Sequence, residues 1–133
     1  MPYVTVFFDP RKIPQPLVNT LKLMLQTEVA SVLSSNTVRI DPYSTVENIA
    51  TPPEEIMVVQ HTTHPTDVNV PALEIYIEAG RPKGRSGEKI VELLGQAIAE
   101  LDLIPPDYLG DGQAGIFIVF HEHNGFGFIP KRN

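Results

Sequence analysis

The stretch Pro71-Ala72-Leu73-Glu74-Ile75-Tyr76-Ile77-Glu78 decides the fold. It lies over Pro2-Tyr3-Val4-Thr5-Val6-Phe7-Phe8-Asp9 at a shift of 69 residues, without a gap. Both copies read as a strand that opens at proline and closes on an acid. The register holds beyond the strand. Leu21, Met24, Leu25, Val29 and Val32 fall over Ile90, Leu93, Leu94, Ile98 and Leu101, which are core spacings on one face of a helix. Each half then closes on a second strand, Thr37 to Asp41 in the first and Gly115 to His121 in the second. An internal repeat is a statement about architecture. Each half is predicted to be a β-α-β unit whose two strands are parallel and joined by a right-handed crossover.

The resulting expectation is an α/β (α+β) fold. Two pseudo-repeated β-α-β units, 2–41 and 71–121, form one sheet within a single domain, 1–133, with two helices on one face. The first helix runs from Pro14 or Pro16 to about Ser34, because proline is tolerated in a first helical turn. The second starts near Ser86, a good N-cap, has Glu88 in its first turn, and ends near Asp102 before Pro105-Pro106. The connection 42–70 is irregular and holds one further strand, Glu55 to Gln60. The run Ile116-Phe117-Ile118-Val119-Phe120 is apolar on both faces and reads as a central strand. Helices on one face leave the other without cover, and self-association is its simplest source of a partner.

The chain has 133 residues, enough for one domain with a real core, and its formal net charge of −6 argues against general nucleic-acid binding. No apolar stretch approaches a membrane span, and the N-terminus lacks the form of a signal peptide, so the expected location is cytoplasmic. Cysteine is absent, which removes disulfides, thiol nucleophiles and Cys-ligated zinc. No phosphate-cradling loop and no Gly-x-Ser-x-Gly element is present. His121 and His123 share a strand face, and His61 and His64 sit in the irregular connection. Together they make metal binding a rival functional class.

Pro2 carries the chemistry. If Met1 is removed, Pro2 presents a free secondary amine at a strand start, and a chain-terminal amine titrates at roughly 7.7–8.0. Partial burial lowers that value, so the group can act as a general base near neutral pH. If Met1 stays, the nitrogen is a tertiary amide with no basicity. Pro71, inside the chain, has no free amine. The basic segment Arg81-Pro82-Lys83-Gly84-Arg85 precedes the second helix. Arginine forks match carboxylates, and helix N-termini favour anions, so this segment suits a carboxylate; the alternative is a solvated loop. Arg11, with Lys12, is a candidate for a second anion contact or a surface residue. Arg39 is either a further contact or a partner for Asp41.

These features resemble the tautomerase superfamily, in particular its double-length members related to 4-oxalocrotonate tautomerase. The closest stretches are Pro71 to Arg81, then Gly84-Arg85-Ser86-Gly87-Glu88-Lys89, and the tail Phe120 to Phe128. The resemblance implies a trimeric architecture, a homotrimer needing no cofactor; with the charge and hydropathy above, the expected partners include no nucleic acid and no membrane, and no metal site is expected. It also implies an isomerase or tautomerase acting on a small carboxylated keto-enol or unsaturated acid. Pro2 would be the general base, Arg81 and Arg85 the carboxylate clamp, and Lys83, Arg39, Arg11 and His121 further substrate contacts. His121 or Glu122 would polarise a water or orient the substrate. Phe126 and Phe128 would wall the pocket of a neighbouring subunit or, the favoured reading, simply pack in the trimer interface. Two departures stand out: Asp9-Pro10-Arg11-Lys12 replaces the family's Gly-Arg in the first half, and activity depends on removal of Met1. The alternatives are a non-catalytic oligomeric protein of the same fold, or a decarboxylase or dehalogenase of the superfamily.

Overall fold

The structure, a computed structural model, describes residues 2–37, 47–49, 51–80, 86–109, 113–121 and 129–131. In chain order the elements are β1 (Tyr3–Phe8), α1 (Gln15–Leu33), β2 (Ser35–Thr37), β3 (Glu47–Ile49), β4 (Met57–Thr62), β5 (Leu73–Ala79), α2 (Gly87–Glu100) and β6 (Ala114–Phe120). Short helical turns cover Pro53–Glu55 and Pro106–Tyr108. A mixed four-stranded sheet has the order β4-β1-β5-β6, and β2 pairs with β3 in a separate antiparallel ribbon. Strands β1 and β4 are parallel, β5 and β6 are parallel, and β1 meets β5 antiparallel.

Alternation along the strands separates the two faces. Val4, Val6 and Phe8 of β1 and Leu73, Ile75, Ile77 and Ala79 of β5 are buried. They pack against Val18, Leu21, Leu25 and Val29 of α1 and Ile90, Leu94 and Ile98 of α2 in one core, so both helices cover the same face. The helix ends follow from their chemistry. Pro14 sits at the N-cap of α1, and Ser86 caps α2, its Oγ accepting the Lys89 N–H at 3.2 Å. On the opposite face Tyr3, Thr5, Phe7, Glu74, Tyr76 and Glu78 are half-buried or exposed.

The β1–β5 register carries the mark of the repeat. Val6 pairs with Ile75, the residue 69 positions later and therefore its own counterpart. Tyr3 pairs with Glu78, and Asp9 N–H donates to Ala72 O at 2.9 Å, two contacts that interchange when the halves are exchanged. The two ends of the sheet, one at Pro2 and one at Pro71, are thus pseudo-equivalent.

Two expectations need correction. The parallel partner of β1 is β4, not Thr37 to Asp41. Thr37 ends the small ribbon, and 38–41 lie outside the described residues. Residues of β4 follow their β1 partners by 54 positions, whereas β6 follows β5 by 41, so the first crossover carries an insertion that the gap-free match could not show. The β2–β3 ribbon belongs to that insertion. Among the described residues strand β6 is an edge strand rather than a central one. Its apolar outer face leaves Phe117 56% exposed.

Candidate active site

The topology gathers several chain segments at the Pro2 end of the sheet. The Pro2 carbonyl accepts the Met57 N–H at 3.2 Å, which fixes the start of β1 against β4. Because β5 runs antiparallel to β1, its last residues, Glu78 and Ala79, lie beside Tyr3 and Pro2. Because β6 is parallel to β5, its last residues end there too, and His121 N–H donates to Ala79 O at 2.9 Å. The N-terminus of α2 lies over the same end. A Cβ on Gly87 would stand 3.2 Å from Phe120 Cε2 and 3.5 Å from Ile118 Cγ2, so the absence of a side chain lets the helix start sit close on β6. First-turn amides of a helix favour an anion. The strand that ends at Ala79 and the helix that begins at Gly87 therefore bracket this end of the sheet.

A polar string crosses the open face here. His121 Nε2 lies 3.1 Å from Glu78 Oε2, with side-chain exposures of 37% and 40%. Tyr76, two residues before Glu78 on the same face, has its phenol held above its ordinary value of 10.0. Burial is the main cause, followed by the Glu78 charge and a hydrogen bond to it. Tyr76 also stacks on Phe117, ring centroids 5.7 Å apart. A carboxylate flanked by an imidazole and a phenol can hold or pass a proton, or orient a water.

The predicted site residues divide. Pro2 and His121 fall at the same end of the sheet. Arg11 does not join them: it lies beyond the far end of β1, about 24 Å of extended strand away. There its Nε and Nη2 fork Asp9 at 3.1 Å each, while its N–H donates to Asp9 Oδ1 at 2.9 Å. This guanidinium holds the Asp9 carboxyl below its ordinary 3.8, chiefly through the side-chain hydrogen bond. Within one protomer Arg11 is the partner of a buried carboxylate and not a contact of the Pro2 site. Arg39, Arg81, Lys83 and Arg85 lie outside the described residues, as do Glu122, His123, Phe126 and Phe128. His61 sits on β4, and His64 closes a turn through Nδ1 to Thr66 Oγ1 at 2.7 Å. Among the described residues no three His, Cys, Asp or Glu side chains gather as metal ligands. No described helix is long and apolar enough to cross a membrane.

Glu78 and Tyr76 were missed as site residues by the sequence reading. The available signal was the alternation Glu74, Tyr76, Glu78, which puts three polar side chains on the uncovered face of a strand otherwise made of Leu, Ile and Ala.

No family model and no curated protein sequence matches the chain. Solved structures do match. A member of the cis-3-chloroacrylic acid dehalogenase family superposes with a TM-score of 0.52 at 14% identity, covering 97% of this chain and 84% of that one. A fused 4-OT in an asymmetric trimer gives 0.56 at 13% identity, covering 95% and 91%. A fused 4-OT in a symmetric trimer gives 0.53 at 13% identity, covering 95% and 90%. At these identities the likeness is one of fold.

Proposed function

We propose that this chain, which has the tautomerase-superfamily fold, is a cofactor-independent tautomerase of small carboxylated keto-enol or unsaturated acids. The observation that carries the reading is the convergence at one sheet end of Pro2, the end of β5, the start of α2 and the Glu78–His121 pair. With Met1 removed, the Pro2 nitrogen takes the proton alpha to the substrate carbonyl. The C–H electron pair moves into the enolate, and the prolinium returns a proton to complete the isomerisation. Arg81 and Arg85, on the connection between Gly80 and Ser86, hold the carboxylate, with Lys83 and Arg39 as further cationic contacts. His121, oriented by Glu78, donates to the oxygen on which charge develops.

Assembly into a homotrimer belongs to this reading. Among the described residues strands β4 and β6 end the sheet with unpaired edges, and Met57, Val59, Phe7 and Phe117 leave apolar surface exposed on its open face. Such edges and patches favour association. Two of the structural neighbours are described as trimers.

A second reading is favoured by the Glu78–His121 pair itself. A carboxylate-imidazole pair can activate a water, which suits hydration or dehalogenation of an unsaturated acid by the same scaffold. The two readings separate on substrates. Phenylenolpyruvate is expected to ketonise faster with protein than without, and 3-chloroacrylate to release no chloride. Chloride release with no ketonisation would favour the second reading over the first.

A further inference from the structure

The glycines of α2, Gly87 and Gly95, meet β6 differently. On Gly95 a Cβ would stand 4.0 Å from Ile116 Cδ1, an ordinary contact. On Gly87 it would stand 3.2 Å from Phe120 Cε2 and 3.8 Å from Phe120 Cζ, so the ring would have to give by a few tenths of an ångström. Backbone conformation does not call for glycine at 87, whose φ lies outside the left-handed region. Helix propensity favours alanine over glycine. What glycine supplies at this position is space, and the Phe120 ring occupies it.

The ring leads directly to the site. Phe120 pairs with Ala79 and packs on the helix-covered face with Ile116 and Ile118. The next residue is His121, and alternation turns its side chain to the other face, where Nε2 meets Glu78 Oε2 at 3.1 Å. One planar peptide unit joins the two residues, so a displacement of Phe120 from above carries His121 with it. The strand end is tied to β5 on one side, where His121 N–H donates to Ala79 O at 2.9 Å. No described strand lies on its other side. The seat of α2 on Phe120 is therefore a constraint on where β6 ends.

We infer that Gly87 is a positioning residue for His121. By leaving the space under the start of α2 to Phe120, it sets the end of β6 and holds the imidazole on Glu78. The inference rests on the reading of His121 as the group that donates to the substrate oxygen. It adds a residue on the helix side of the sheet that acts on the open side through the strand between them. It requires no free surface on the open face, so it holds in a single chain and in an assembly alike.

The test follows the ring C–H signals of His121 by NMR in the full chain at fixed pH, assigned by their loss in His121→Gln, together with ketonisation of phenylenolpyruvate. Gly87→Ala is expected to move the His121 ring signals and to lower kcat about threefold to tenfold with KM nearly unchanged. The urea midpoint should stay close to wild type, because alanine suits a helix. Gly95→Ala, the same change where the added methyl group makes an ordinary contact, should move neither the signals nor the rate. On a Phe120→Leu background, which lacks Cε2 and Cζ, Gly87→Ala should have no further effect, since changes at one contact do not add. His121 signals unmoved by Gly87→Ala would overturn the inference. So would an equal movement on the Phe120→Leu background. A wild type that ketonises nothing would sink the reading of Pro2, and the ring signals would still decide this inference.

Discussion

Asp9 and Glu78 occupy matching places in the two halves, and each is met by a basic side chain, Arg11 in one case and His121 in the other. The consequences differ. Asp9 is almost fully buried and forked by Arg11, so its carboxyl titrates below its ordinary 3.8. A carboxyl with a lowered folded value stabilises the protein above the unfolded value, and that contribution is lost as pH falls through the folded one. Asp9→Asn should therefore lower the urea midpoint at pH 7, and its gap from wild type should close on acidification below the ordinary value of 3.8. A gap that stays constant into acid would contradict the fork. Glu78 and His121 are half-exposed and lie at the proposed site. There His121→Gln is expected to slow ketonisation about tenfold to a hundredfold while leaving the urea midpoint nearly unchanged. Equal losses in rate and stability would instead mark a structural role. At this scale the sequence showed that Pro2 could be a base and Pro71 could not. It did not show that Arg11 is held by a carboxylate two residues away, because that depends on the turn after β1 folding Asp9 back over the next residues.

Among the elements, α2 leaves a small gap in its packing against the sheet. Gly95 lies in its interior beside a small crevice of about 80 Å³ lined by Ile75, Ile98, Ile104 and Ile116. A Cβ there would stand 4.0 Å from Ile116 Cδ1, an ordinary contact. Glycine in a helix interior costs about 0.5–1 kcal/mol relative to alanine. Gly95→Ala is therefore expected to raise stability by about that amount, read as a higher urea midpoint with unchanged slope; a drop would mean that the crevice cannot take a methyl group. Leu94→Ala, at a fully buried position one residue earlier, should cost about 2–5 kcal/mol by the same measurement. The elements were largely legible beforehand. Ser86 was read as the cap of α2, and the 69-residue shift reappears as the pairing of Val6 with Ile75. What the pattern could not supply was the partner of β1. Helical spacing ends at Leu33, and Thr37 to Asp41 had the look of a strand. The longer first crossover, with its β2–β3 ribbon, displaces the pairing strand to Met57–Thr62. Apolar character on both faces of β6 likewise reflects surface left open at the edge of the chain rather than a central position within it.

Among the described residues the molecule is a sheet covered on one face, with two unlike ends related by an internal pseudo-dyad. Its uncovered face and apolar edge lead to the expectation of a trimer in sedimentation. Phe117→Asp should shift it toward smaller species, since that ring is 56% exposed in the single chain. A wild-type monomer would remove the assembly from the account. The duplication has a further consequence at this scale. It builds two pseudo-equivalent ends, but Pro71 lies inside the chain, so the proline base chemistry proposed at Pro2 has no counterpart at the other end. The most direct measurement of the central claim is the rate of phenylenolpyruvate ketonisation by protein whose intact mass shows Met1 removed, compared with Pro2→Ala. The account predicts that wild type exceeds the uncatalysed rate and that Pro2→Ala lowers it by about 10² to 10⁴. Equal rates for the two proteins would contradict it.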